Sequence, residues 1–363
     1  MISARSNQRP TQVLLDGAAF EHNLQRVREL IPKSKVMAVI KADAYGHGME
    51  LAADSLDLAD EFAVNSLDDV KRLRRHGIDK TITLLSALLN RSELEWAAKN
   101  NVRPIVFDHS QLTLFKNLKI TEPLSVWLKV DSGMGRLGFA IEEIDTVATR
   151  LLSFDAVKNL SLMSHMANAD QFDHPLNQPQ IIEFQNAICQ LDYHQTSLLN
   201  SAAILNFASA AGHIARPGLM LYGISPLADK SAEELGLKPV MTFKSELISV
   251  KTIAAGGCIG YGSEYQLLKD TRIGIVACGY GDGYPRHAPS GTPVLVNGVK
   301  TQLIGRVSMD MLAVDLGTLN AKVSDPVILW GADNPVETIA AAATTIAYEL
   351  CCSITARVER INI

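Results

Sequence analysis

Five short stretches of this chain gather residue types that can do chemistry. Lys41 closes the apolar run Val36–Ile40 and opens Lys41-Ala42-Asp43-Ala44-Tyr45-Gly46-His47-Gly48. Partial burial lowers a lysine from its ordinary pKa of ~10.4, leaving an amine able to form a Schiff base or abstract a proton. The plainer alternative is a side chain that snorkels from the strand end into water. Lys129-Val130-Asp131-Ser132-Gly133-Met134-Gly135-Arg136-Leu137-Gly138 joins tight, glycine-rich backbone to Arg136. The planar fork of Arg136 suits a carboxylate or a phenolate oxygen. Lys129 requires an anionic partner if it is buried, whereas a loop that merely closes a rim would require none. Ser164-His165 offers an imidazole, or simply a satisfied core group. Asn200-Ser201-Ala202-Ala203 opens a helix, where a hydroxyl and exposed amides form a natural phosphate site. In Ala215-Arg216-Pro217-Gly218-Leu219, the amides of Gly218 and Leu219 are placed to complete it.

These stretches need a scaffold that brings them together. Eight apolar or β-branched runs alternate with helical patterns: Val36–Lys41, Glu61–Asn65, Thr81–Leu85, Arg103–Phe107, Ser125–Val130, Leu160–Ser164, Thr196–Leu199 and Ile214–Arg216. Between them lie amphipathic segments such as Asp16–Ile31, with Phe20, Leu24, Val27 and Leu30 at helical spacing. Alternation of this kind predicts right-handed βαβ units and a parallel sheet, and eight units favour a closed (β/α)8 TIM-like barrel over an open one. All five stretches then follow strands at the C-terminal rim, where barrel sites are built, with phosphate sites commonly after strands seven and eight. The rhythm changes after about Ile224. Runs at Thr242–Val250, Arg272–Ala277, Thr292–Val296, Met311–Asp315 and Val327–Leu329 are broken by Gly256–Gly257, Gly279–Gly283 and Asn297–Gly298. They predict a mostly antiparallel β domain with an Ala-rich helix near Ile339–Leu350 and a last strand around Ala356–Ile363. The expected class is α/β plus β. The barrel occupies 1–230, roughly the first ten residues being candidates to pair with the second domain, and the β domain occupies 231–363.

Bulk properties exclude several other readings. A chain of 363 residues suits two domains, and a net charge of -5 gives no electrostatic reason to expect nucleic acid. The densest basic run, Lys71, Arg72, Arg74 and Arg75, interleaves with Leu67, Val70 and Leu73 as the solvated face of a helix. Five cysteines without a CxxC spacing suggest neither a disulfide framework nor a zinc site, and no metal is expected. No run approaches the ~20 apolar residues of a membrane span, and the polar start lacks a secretory pattern, so a cytoplasmic protein is expected. No GxGxxG follows the first strand and no Walker loop occurs. A Schiff-base lysine, a phosphate cradle, a carboxylate-binding arginine and ring-contacting groups are together what a pyridoxal phosphate site requires.

Val39-Ile40-Lys41-Ala42-Asp43-Ala44-Tyr45-Gly46-His47-Gly48 resembles the pyridoxal-attachment signature of alanine racemases. The resemblance continues through Lys129–Gly138, Ser164–Asp170, Asn200–Ala203 and Arg216–Gly223, then Tyr261–Tyr265, Gly279–Arg286, Gly305–Asp310 and Tyr348–Arg357. It implies a fold-type III, pyridoxal phosphate-dependent isomerase that interconverts L- and D-alanine, assembled as a head-to-tail homodimer and supplying D-alanine for peptidoglycan. Within that family pattern Lys41 carries the cofactor, while Tyr45, Ser201, Gly218, Leu219 and Tyr348 bind its phosphate. Arg216 faces the pyridine nitrogen, His165 lies against the ring, and Arg136 contacts the phenolic oxygen and the substrate carboxylate. Lys129 resembles the lysine that is carbamylated in many members, which orients the arginine. The resemblance makes Tyr265 the second base, contributed across the dimer with Met309, whose amide helps hold the carboxylate. Asp170, Tyr280, Tyr284 and Arg306 resemble residues lining the entrance. Departures are small: Ser132, Met166 and Ser308 stand where threonine, an aromatic residue and cysteine are common.

The resemblance implies a two-base reaction, with Lys41 serving the α-hydrogen of D-alanine and Tyr265 that of L-alanine. Tyrosine's ordinary pKa of ~10 requires cationic help, expected from His165 linked to Arg216. Two alternatives share the barrel: a fold-type III amino-acid decarboxylase and a pyridoxal phosphate-binding homeostasis protein.

Overall fold

The computed structural model describes residues 9–189 and 192–363. The chain divides into two compact units, one formed by Phe20–Ala44 and Met49–Leu237. The other comprises Lys238–Ile363, Tyr45–Gly48 and the described N-terminal segment through Ala19. Numbered along the chain, strand β1 (Gln12–Leu15) belongs to the second unit, and the next eight build the first.

In the first unit those strands are β2 (Lys35–Val39), β3 (Glu61–Val64), β4 (Ile82–Leu84), β5 (Val102–Val106), β6 (Leu124–Lys129), β7 (Val157–Met163), β8 (Thr196–Ser197) and β9 (Ile214–Ala215). All are parallel, in the order β8-β7-β6-β5-β4-β3-β2-β9. Beyond the ends of β8 and β9 the amide of Arg216 donates to the Leu199 carbonyl at 2.9 Å, which brings the last strand beside the eighth and curls the sheet toward a TIM-like barrel. Strands such as Glu61–Val64 and Val102–Val106 are buried at every position, as strands covered on both faces must be. The N-terminal end is plugged by Arg103, which donates to Glu61, Gln195 and Ser161 and stacks over the Trp127 ring at 4.4 Å. The outer helix Leu67–His76 starts at Ser66, whose side chain accepts from the Asp69 amide. It ends at Gly77 with φ 97, and acidic residues lie in its first turn and basic ones in its last. This unit runs past the expected 230 to Leu237, because Arg26 and His22 of the first helix bond the carbonyls of Leu235 and Gly236.

The second unit contains β10 (Met241–Ile253), β11 (Cys258–Ile259), β12 (Tyr265–Gln266), β13 (Thr271–Val276), β14 (Pro293–Val296), β15 (Val299–Ile304), β16 (Leu312–Asp315), β17 (Pro326–Trp330) and β18 (Glu359–Asn362). Its large sheet runs β13-β16-β15-β14-β17-β10-β1-β18, with β13 also pairing β10. The pairing is antiparallel except between β1 and β18. β11 and β12 form a separate hairpin. Instead of one helix near Ile339–Leu350 there are two, Val336–Ala342 and Ala347–Cys352, interrupted where Thr344 takes φ 53.

Candidate active site at the C-terminal rim of the barrel

The ladder of β2 stops at Val39, two residues before Lys41. Val39 donates its amide to the Pro217 carbonyl at 3.0 Å and accepts from the Tyr222 hydroxyl at 2.8 Å, while Ile40 donates to Ala63 at 2.9 Å. The backbone entering half-buried Lys41 is therefore held from several sides. It then leaves through a left-handed turn, with Ala42, Asp43, Ala44 and Tyr45 at φ between 51 and 54.

Lys129 ends β6 with 9% of its surface exposed. Burial first, then the Arg216 and Arg136 guanidinium groups, push its amine down to about 7; Asp131 pulls the other way. That carboxylate is largely engaged by backbone, since its Oδ1 accepts from the amides of Gly133, Met134 and Gly135 at 2.8–3.0 Å. Arg216 is buried just after β9 and is pushed down to about 10 by desolvation, so it stays charged at neutral pH. Its guanidinium donates to the Ser197 hydroxyl and the Ser164 carbonyl at 2.5 Å, and lies 3.4 Å from His165 Nδ1. A guanidinium can only donate, so that nitrogen is the acceptor and carries no proton. Burial, then Arg216, Lys129, Arg136 and Lys41 in turn, hold His165 well below its ordinary range, and the ring is neutral. The His165 carbonyl accepts from the Gln180 side chain at 2.8 Å.

Asn200 caps the helix Ser201–Asn206 by accepting from the Ala203 amide at 2.9 Å. The Ser201 hydroxyl oxygen accepts from the amides of Gly218 at 2.9 Å and Met220 at 3.3 Å. The loops after β8 and β9 thus converge on one hydroxyl, with Leu219 opening a short 3-10 turn beside it. The donor set suits pyridoxal phosphate: an amine for its aldehyde, a hydroxyl-and-amide cradle for phosphate, and an excess of positive charge facing groups that would be anionic.

In the second unit Tyr45 and Tyr348 meet with ring centroids 5.6 Å apart, and the Tyr45 hydroxyl is held above its ordinary range by burial and then by Tyr348. Tyr265 opens β12 and packs against Ile259, Leu267, Ile273 and Ile304. The loop that delivers it needs positive φ at Gly260, Gly262 and Ser263, and Glu264 beside it is gripped by the guanidinium of Arg306. Met309 is 53% exposed on a turn interlocked with Gly279–Asp282: Tyr280 donates to the Ser308 carbonyl and Gly281 to that of Met309. A fully buried carboxylate, Asp282, ties the turn to Gly279 N, Arg9 and Arg357, and both arginines also reach Asp310. Tyr284 is buried against Trp330 and lines a cavity of about 200 Å³ together with Tyr280, which is 40% exposed. Asp170, in the barrel unit, is exposed.

Residues 15–226 match the alanine racemase N-terminal domain, and residues 240–362 match the alanine racemase C-terminal domain. The chain belongs to the alanine racemase family. It is 46% identical to alanine racemase from Nitrosospira multiformis over 98% of this chain and 99% of that one. Against the biosynthetic alanine racemase of Pseudomonas aeruginosa the identity is 45%, over 97% and 99% of the two chains. The crystal structure of the biosynthetic enzyme from that organism superposes with a TM-score of 0.95 at 44% identity, covering 98% of this chain and all of the other. The Bartonella henselae alanine racemase, described with covalently bound pyridoxal phosphate, superposes with a TM-score of 0.88 at 26% identity over 98% and 99%. Membership over both domains sets aside the decarboxylase and homeostasis readings, and the family is one of amino-acid racemases.

In this alanine racemase fold Lys41, Lys129, His165, Ser201, Arg216, Gly218 and Leu219 follow barrel strands at one rim, with Arg136 on the loop after β6. Tyr45, Tyr265, Met309, Tyr280, Tyr284, Arg306 and Tyr348 belong to the other unit. Sequence reasoning missed Asp282 with its two arginines, and Asp43 with Arg72. The signal for Asp282 was present as a lone acid inside the Gly-rich stretch Gly279–Gly283, whose glycines carry no side-chain donor.

Proposed function

We propose that this protein interconverts L- and D-alanine with pyridoxal 5'-phosphate held on Lys41, by proton exchange on opposite faces of the α-carbon. The observation that carries the reading is the crowding of Lys41, Lys129, Arg136 and Arg216 about a neutral His165 at the barrel rim. Bound pyridoxal phosphate supplies the electron sink that makes an amino-acid α-hydrogen removable.

The remaining work falls to the chain. Ser201 with the amides of Gly218 and Leu219 holds phosphate, and Tyr45 and Tyr348 add their hydroxyls. Arg216 donates a hydrogen bond to the ring nitrogen and keeps its own proton, since a pKa of about 10 leaves it charged near neutrality. That choice weakens the sink and favours prompt return of the proton over side chemistry. Arg216 and Gln180 hold His165 in place, where its ring would lie against that of the cofactor. Arg136 offers its fork to the phenolic oxygen and the substrate carboxylate, and the Met309 amide holds the same carboxylate. Lys41 Nζ takes and returns the hydrogen of D-alanine, and the Tyr265 hydroxyl that of L-alanine. We assign Tyr265 and Met309 to a second copy in a head-to-tail homodimer, with Asp170, Tyr280, Tyr284 and Arg306 along the entrance. A cytoplasmic enzyme feeding D-alanine to peptidoglycan fits this assignment.

Purified enzyme incubated with L-alanine in deuterated water should lose optical rotation while deuterium enters the α position. Tyr265→Phe should keep the yellow cofactor and lose hydrogen removal from L-alanine preferentially. Equal losses from both enantiomers would overturn the two-base assignment.

A further inference from the structure

The turn that follows Lys41 carries a conformational cost. Ala42, Asp43 and Ala44 lie at φ/ψ of (54, 50), (53, 47) and (53, 52), and Tyr45 continues at φ 51. Left-handed backbone crowds the Cβ of every L-residue against its own carbonyl, and glycine alone is free of that penalty. None of these four residues is glycine. A run of this kind persists only where its surroundings over-determine it.

Part of the restraint comes from one side-chain cluster. Ala44 donates its amide to the Ile40 carbonyl at 3.0 Å, closing the turn. Asp43 Oδ1 accepts from the Met49 amide at 3.1 Å and from an Arg72 terminal nitrogen at 2.8 Å. Arg72 projects from the capped helix Leu67–His76 and sets its Nε and other terminal nitrogen on the two oxygens of Glu50, in the helix Met49–Ser55. One rigid guanidinium therefore fastens the turn at Asp43 and the element after it at Glu50. Lysine could not do this, because it lacks the planar fork that addresses two carboxylates in fixed directions. The cluster is 33–40% exposed, so its contribution lies in direction rather than in buried charge.

We propose that Arg72 is a positioning residue. Acting through Asp43, it holds the left-handed turn whose geometry aims Lys41 at the cofactor aldehyde. The inference rests on Lys41 being the attachment point. Without Arg72 the turn relaxes toward ordinary backbone and the Lys41 amine samples directions that do not meet the aldehyde.

The test uses the holoenzyme and two readouts that do not depend on turnover: equilibrium affinity for pyridoxal phosphate, and the rate at which borohydride fixes a pyridoxyl group on Lys41. Arg72→Met should weaken affinity and slow fixation by about tenfold, the scale of one hydrogen bond to a charged group. Lys71→Met, on the same helix and paired with Asp68, should change neither. Adding Ala42→Gly to Arg72→Met should recover much of the loss, because glycine adopts the turn without restraint. Loss without recovery would show that charge rather than backbone geometry is responsible, and would overturn the proposal. An Arg72→Met enzyme that melts lower but keeps affinity and fixation rate within about twofold of the parent would also overturn it. Mapping the fixed group to any residue other than Lys41 in the parent would instead overturn the attachment on which the inference rests.

Discussion

Burial at the end of β6, then Arg216 and Arg136, push the Lys129 amine down to about 7. At pH 7.5 about three quarters of such amines are neutral, against about one in a thousand for an ordinary lysine. Only the neutral amine adds carbon dioxide. A nitrogen–carbon bond forms, one proton leaves, and a carboxylate replaces a neutral group between two guanidinium groups. The environment thus raises the reactive fraction by a factor of several hundred, roughly. It also rewards the product, because Asp131 is already engaged by three backbone amides. Holoenzyme equilibrated with carbon-13 bicarbonate should show a protein-bound carbamate resonance at pH 8. It should fade as pH falls below about 7 and the amine protonates. Lys129→Met should lack the resonance. It should also raise the KM for alanine by about tenfold or more, the scale of a hydrogen bond to a charged group, because the expected anion would no longer orient Arg136. A parent enzyme without the resonance at saturating bicarbonate, or a Lys129→Met enzyme that retains it, would refute the reasoning.

Three further substitutions test parts of the scaffold. Glu61→Gln removes the carboxylate that faces Arg103 and leaves that buried cation with the neutral Gln195, Ser161 and Trp127 ring, and should cost about 3 kcal/mol or more in denaturant unfolding. Replacing both partners by apolar residues should recover most of that loss, and a single-variant cost near zero would show that the plug is solvated. Gly279→Ala places a Cβ against the Ser308 carbonyl and the Met309 backbone, so it should lower the melting temperature and raise the KM for alanine together. Gly48→Ala meets no atom within 4 Å but sits at φ +95, and should cost only about 1 kcal/mol, with KM unchanged. Equal effects from the two glycine variants would argue against the packing account.

The eight barrel strands were legible because parallel strands covered on both faces read as unbroken apolar runs, and each is separated from the next by a helical pattern. β15 was not, since Val-Lys-Thr-Gln-Leu-Ile turns a polar face outward and looks like loop, although β14 and β16 both pair with it. β1 is four residues long, and its partners lie more than two hundred positions away, at Met241–Lys244 and Glu359–Asn362. Nothing local announces such a strand. The split of the Ala-rich helix follows from the β-branched pair Thr344 and Thr345, where the chain takes a left-handed step at Thr344. Candidate site residues stood out where glycine and charge cluster in sequence. The residues that hold them, Arg72 for Asp43 and Arg357 for Asp282, are 29 and 75 positions distant and could be found only in three dimensions.

The same distances explain how the rim tolerates its charge. Burial first, and then the neighbouring cations Lys41, Lys129, Arg136 and Arg216, raise the cost of adding a proton to His165, and burial with Arg216 and Arg136 likewise brings Lys129 to about 7. Like charges gathered at one buried rim oppose folding. The fold offsets them in two ways visible here. Arg216 spreads its charge over the Ser197 hydroxyl and the carbonyls of Ser164 and Leu198, and Lys129 sheds its charge near neutrality. The proposed ligands would bring a phosphate, a phenolate and a carboxylate to the same rim. A site built this way is costly to the free chain and selective for molecules carrying several negative groups at fixed separations.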